Sequence, residues 1–121
     1  MTGLTVIVTT PDRVRFRAGL TLAIAQRALG GRVRLYCHEA SVVLLTQALC
    51  DDDDSAALAS AGLPDRQGLI AMAQANGVTL IACQTGMAMM GLAMDGLADG
   101  VEAGGMMGLL ADLGDDRLVT V

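Results

Sequence analysis

The sequence predicts an α/β fold in which a parallel sheet is covered by helices on both faces. Short β-branched runs at Leu4–Thr9, Arg32–Cys37, Gly77–Ala82 and Leu118–Val121 alternate with helical patterns. Glycine- or proline-marked turns join them, too short for extra elements. Strands paired in parallel need crossovers, and right-handed crossovers lay a helix over each strand pair. A length of 121 residues suits one domain over 1–121, with nothing spare for a second core.

Leu4-Thr5-Val6-Ile7-Val8-Thr9 is the first strand. It stops at Thr10-Pro11-Asp12, where proline removes a ladder donor and Thr or Asp can cap a helix. That helix runs from Arg13 to Leu29: Val14, Ala18, Leu22, Ala25 and Leu29 recur at spacings of three and four, Phe16, Leu20 and Ile24 form a second apolar row, and Gly30-Gly31 ends it. One row packs on the sheet and the other needs a further neighbour. Arg32–Cys37 is the second strand, and Ser41–Leu49 a short apolar helix. The four acids Asp51–Asp54 read as a solvated loop, since consecutive carboxylates splay instead of converging on a cation.

Ser55–Leu63 suggests a helical turn, and Pro64 with Asp65 starts a helix that Gly77 closes after Asn76. The strand ending at Ala82 leads through Cys83 into a Met-rich helix. Val101–Ala103 is a short strand, Gly104-Gly105 a turn, Met106–Leu113 a helix and Leu118–Val121 the last strand.

Composition removes several function classes. The net charge is −5, all eight basic residues are arginine, and the large aromatics are Phe16 and Tyr36 alone, so the basic clusters and stacking rings of a nucleic-acid binder are missing. No apolar run reaches the roughly 18 residues needed to span a bilayer, and no basic leader precedes the first strand; a cytoplasmic protein without membrane attachment is expected. An odd count of three cysteines points to free thiols rather than a disulfide framework. With 53% hydrophobic residues, the outer row of the first helix and the segment Met87, Met89, Met90, Met94, Met106 and Met107 are expected to pack in the core and against a symmetric partner.

The carboxyl ends of parallel strands lie along one edge, so Thr9, Thr10, Asp12, Cys37, His38, Glu39, Cys83, Gln84 and Thr85 should share one rim. The first strand-to-helix turn has no glycine, and Gly104-Gly105-Met106-Met107-Gly108 fits neither the dinucleotide nor the P-loop pattern; no cofactor is expected. Cys83 has the most informative address. Where a strand passes into a helix, a thiol meets backbone N–H groups with no intrahelical partner, and these favour the thiolate.

Cys83-Gln84-Thr85-Gly86 lacks the second cysteine of a dithiol pair, which leaves a persulfide carrier, a peroxide-sensitive thiol, a nucleophile or a packed core thiol. Auxiliary candidates are His38 as acid/base or electrostatic partner, Cys37 as resolving thiol, and Gln84, Thr85 and Thr10 at the rim. Neighbours on a strand point to opposite faces, so at most one of Cys37 and His38 should meet the rim squarely. Cys37, His38 and Cys83 lack zinc-ligand spacing, no metal is expected, and Cys50 reads as structural. Sulfur chemistry at Cys83 requires the atom to be accessible and anionic.

The opening strand, Ala28-Leu29-Gly30-Gly31, Val33-Arg34-Leu35-Tyr36, Gly77-Val78-Thr79-Leu80-Ile81-Ala82-Cys83, Gly100-Val101-Glu102-Ala103-Gly104-Gly105 and Asp116-Arg117-Leu118-Val119-Thr120-Val121 together resemble the DsrE/DsrF-like family of small sulfur-relay proteins, which includes TusD-type subunits. The resemblance covers nearly the whole chain. It implies a three-layer α/β/α sandwich with about five strands, assembly into trimers, hexamers or heterologous complexes, and a cysteine after a central strand that carries sulfane sulfur between donor and acceptor proteins. Only Cys83 occupies that position. A scaffold of the same fold, in which Cys83 merely packs, and a redox switch through a Cys37–Cys83 disulfide are the other readings.

Overall fold

The computed structural model describes residues 2–47 and 54–121. Five strands, β1 (Leu4–Val8), β2 (Val33–Cys37), β3 (Thr79–Cys83), β4 (Glu102–Gly104) and β5 (Arg117–Thr120), form one sheet in the order β4-β3-β2-β1-β5, with every neighbouring pair parallel. The family-implied sandwich with a parallel five-stranded sheet is what the chain forms. Central strands β1 and β2 are buried along their whole length, as strands covered on both faces must be.

Helix α1 (Arg13–Leu29) has the bounds its sequence predicts. Asp12 caps it by accepting from Arg15 N at 3.0 Å, and Gly30 ends it at φ 114°, a backbone state that side chains rarely adopt. Phe16, Leu20 and Ala23 face the sheet, and Gly19 lets the helix settle against Val6 and Leu35. The other row stays out in the single chain: Val14, Leu22 and Leu29 are exposed. Helix α3 (Arg66–Ala75), capped by Asp65 onto Gly68 N, packs beside α1 on that same face, where Leu69, Ile70 and Ala73 are buried.

Moving from β1 to β4 the chain travels one way, and it then crosses back under the sheet to reach β5. Helix α5 (Met106–Ala111) makes this return on the opposite face. Arg34 anchors it by donating to the Leu109 carbonyl at 3.2 Å and to Thr5 Oγ1 at 2.9 Å. Arg34 and Arg32 share Asp116, at 3.8 and 2.8 Å, and Asp112, at 3.5 and 3.0 Å. Six residues of α5 cover little of this face, and Ile81, Leu118 and Thr120 remain partly or fully exposed.

Several boundaries differ from the sequence reading. The segment read as a helix over Ser41–Leu49 is a 3-10 helix from Glu39 to Leu45, entered through Glu39 at φ 46°, and residues 48–49 lie outside the described ones. Helix α2 (Ser55–Ser60) is shorter than its expected reach to Leu63, α5 is shorter than Met106–Leu113, and β4 begins one residue late. Cys50 and Asp51–Asp53 also lie outside the described residues; Asp54 is exposed and pairs with Arg13 at 3.6 Å. The methionines are mostly on the surface. Met87 is buried and Met106 half-buried, but Met89, Met90, Met94 and Met107 are exposed.

Candidate functional site

Cys83 closes β3 and caps helix α4 (Gln84–Met90), its sulfur accepting from Gly86 N at 3.4 Å. The residue is only 4% exposed, more covered than sequence reasoning expects. Its cover is not an aliphatic wall. Cys83 lines an open recess of about 310 Å³ together with Tyr36, His38, Glu39, Gln84, Thr85, Gly105 and Met106.

Backbone geometry on the β2 side explains why the recess is rich in donors. Glu39 is the only described non-glycine residue in the left-handed region, a conformation that costs on the order of 1–2 kcal/mol and persists where the surroundings over-determine it. The Gly86 N–H donates to the Cys83 sulfur at 3.4 Å, and the backbone N–H groups of Glu39 and Thr85 add to the electrostatic preference for its anion. Gly86 makes that approach possible, because a Cβ there would collide with the Glu39 carbonyl oxygen.

Burial acts to push the Cys83 thiol up. The Tyr36 hydroxyl and the N–H groups of Gly86, Glu39 and Thr85 outweigh it, so the thiol ionises below its ordinary value. Tyr36 shows the reciprocal effect, pushed up by burial first and then by its contact with Cys83. The buried Tyr36 hydroxyl has no hydrogen bond of good geometry among the described residues.

Two more buried polar atoms near this site lack partners among the described residues: His38 Nδ1 and Ser41 Oγ. His38 Nε2 meets Glu39 Oε1 at 3.1 Å, and the imidazole stacks on Tyr36 with centroids 6.4 Å apart. Glu39 is the only acid in the lining, and no Lys or Arg lines the recess.

His38, Gln84 and Thr85 share the recess with Cys83, whereas Thr10 lines a separate open depression with Pro11, Asp12 and Arg15. Cys37 is fully buried. It pairs with Ala82, so it faces the side of the sheet that Cys83, one residue on, turns away from. Burial pushes its thiol well up.

The two thiols impose opposite pH dependences on stability. Cys83, depressed in the folded state, contributes stability that is complete above the unfolded value of about 8.5 and lost as pH falls through its folded value. Cys37, raised in the folded state, favours unfolding once pH exceeds about 8.5, by up to ~1.4 kcal/mol per pH unit. Urea denaturation from about pH 7 to about pH 10, across the unfolded thiol titration at about 8.5, is expected to show stability falling at the alkaline end in wild type and falling less steeply in Cys37→Ala.

The model of the DsrE/DsrF/DrsH-like family matches residues 55–118, more than half of the chain and including Cys83. The chain belongs to this family. No curated protein sequence matches this DsrE-like chain significantly. Solved structures similar over essentially its full length include the ychN protein from E. coli (22% identity, TM-score 0.76, 100% of both chains). A protein of unknown function from Methanobacterium thermoautotrophicum gives 14% identity and TM-score 0.69 over 100% of both chains. One from Bacteroides thetaiotaomicron gives 19% and 0.70 over 98% of this chain and 94% of its own. These likenesses are of fold.

The family match begins after β2, so Tyr36, His38 and Glu39 lie outside it. Sequence reasoning places Glu39 at the rim but gives no role to Tyr36, Gly86 or Ser41. The available signal for Tyr36 was its position two residues before His38 on a strand whose neighbour, once known to be β3, carries Cys83.

Proposed function

We propose that this DsrE-like protein carries sulfane sulfur as a persulfide on Cys83 and passes it to a thiol on a partner protein. The observation that supports this most is a cysteine that lines an open recess, its sulfur accepting from the Gly86 N–H at 3.4 Å, in surroundings that favour its anion. In loading, the Cys83 thiolate attacks the terminal sulfur of a donor R–S–SH. The new S–S bond forms as the old one breaks, and R–S⁻ leaves. Delivery is the same exchange in reverse, with an acceptor thiolate attacking the terminal sulfur and Cys83 leaving as thiolate. No net oxidation occurs, so neither cofactor nor metal enters the step.

His38 lines the recess with its Nε2 on Glu39, where the side chain of an incoming thiol would approach. Exposed Gln84 and Thr85 stand at the mouth, where a donor or acceptor chain would touch. Thr10 and Cys37 have no part in this scheme, and the opposed faces of Cys37 and Cys83 argue against a disulfide switch. A reducing, cytoplasmic compartment suits a persistent thiolate. Exposed Val14, Leu22 and Leu29 on α1 and the thinly covered α5 face suit assembly of several copies.

A scaffold role is favoured by one observation, the small exposure of Cys83. Mass spectrometry after incubation with a sulfane-sulfur donor separates the readings. Wild type is expected to gain one sulfur atom on the peptide bearing Cys83, and Cys83→Ser to gain none there. A fully folded wild type that takes up no sulfur, and whose Cys83 resists alkylation, leaves only the scaffold.

A further inference from the structure

We propose that the Tyr36 hydroxyl is the donor that receives the Cys83 sulfur as it becomes a thiolate, and so governs how readily a carried sulfur departs. The inference rests on the sulfur-carrier reading for its second half and on geometry alone for its first. Tyr36 pairs with Ile81 across β2 and β3, and Cys83 lies two residues beyond Ile81, so both side chains rise from one face of the sheet into one recess. Tyr36 is 0% exposed, and its hydroxyl meets no acceptor among the described residues. Burying a hydroxyl in that state costs folding free energy, and phenylalanine would fill the same space without the cost.

The transferring form is the neutral persulfide Cys83–S–SH, in which the inner sulfur carries no charge and is a weak acceptor. When an acceptor thiolate R–S⁻ attacks the outer sulfur, R–S–SH forms, the S–S bond to Cys83 breaks, and the electron pair of that bond collects on the inner sulfur. The Gly86 N–H meets that atom already at 3.4 Å, and the unpartnered Tyr36 hydroxyl stands in the same recess. A donor aimed where charge develops, with no competing partner beforehand, favours the departing state over the loaded one. Tyr36 therefore acts on the reacting atom and does not act as a proton store; burial disfavours its own ionisation.

The chain has one tyrosine and no tryptophan, so chemical replacement at this residue is site-specific and thiolate absorbance is read against little background. Tyr36→Phe is expected to keep or raise the melting temperature, to move the Cys83 titration upward, and to slow discharge of preloaded persulfide to a small thiol about tenfold. Fluorotyrosine incorporation, which makes the hydroxyl a stronger donor, is expected to move the Cys83 titration downward. It also covers the case in which Tyr36→Phe does not fold. Unchanged Cys83 titration in both proteins overturns the proposal, as does unchanged discharge beside a shifted titration for its second half. Failure of wild type to load sulfur at all overturns the carrier reading instead, while the titration still reads the Tyr36 contact.

Discussion

Gly86→Ala is expected to destabilise the protein by about 2 kcal/mol and to slow Cys83 alkylation at neutral pH. Helix propensity alone predicts the opposite sign, because alanine in place of an α4 glycine favours the helix by about 1 kcal/mol. Packing decides it. The added methyl meets the Glu39 carbonyl, carbon and Cα, backbone atoms that cannot swing aside as a side chain would, and overpacking of this kind costs about 3 kcal/mol. Relief by moving the Glu39 turn draws its N–H off the sulfur, which couples lost stability to lost thiolate. Chemical denaturation with alkylation kinetics checks both, and a stabilised variant with unchanged kinetics would mean that the approach of these two segments is dispensable.

Arg34→Met is expected to cost about 3 kcal/mol and to act on the recess from a distance. The guanidinium is 7% exposed and ties three elements together: Thr5 on β1, the Leu109 carbonyl on α5, and Asp112 and Asp116 before β5. Methionine restores volume but leaves the buried carbonyl unmet and Asp116 with Arg32 and the Thr5 hydroxyl, which places the loss at the lower end of the range for breaking a buried pair. Helix α5 begins at Met106, and Gly105 and Met106 form one wall of the recess. Slower sulfur discharge with an unmoved Cys83 titration is the expected pattern, since none of the groups that stabilise the thiolate is touched. Denaturation at neutral pH and single-turnover discharge measure the two parts.

Most of the architecture was legible because local signals agreed with the global fold. Asp12 and Gly30 bound α1 as capping chemistry requires, and Asp65 does the same for the start of α3. Parallel pairing followed from the alternation of elements, and with it the arrival of His38, Glu39 and Cys83 at one edge. What escaped depends on contacts that sequence spacing does not carry. Glutamate rarely adopts a positive φ, so nothing marked Glu39 as the left-handed entry to a 3-10 helix. Gly86 reads as an ordinary helix residue until Glu39 is seen against it. Tyr36, one residue of a strand by its sequence, needed strand order and register to become a neighbour of Cys83.

Exposure was misjudged in both directions. The apolar rows of α1 were both visible, but only strand packing shows that Phe16, Leu20 and Ala23 face inward while Val14 and Leu29 face out. Cys83 is more covered, and its donors more numerous, than a strand-to-helix junction alone implies. Thr10 reaches the same edge yet lines another depression, because β1 and β3 are separated by β2.

The ionisation of Cys83, followed by thiolate absorbance against pH with Cys83→Ser as baseline, bears on these conclusions more directly than any transfer assay. A midpoint clearly below the ordinary thiol value of about 8.5, moving upward in Tyr36→Phe and in Gly86→Ala, is the expected result. A midpoint at or above that value in folded protein, indifferent to both substitutions, would contradict a recess built to hold a sulfur anion.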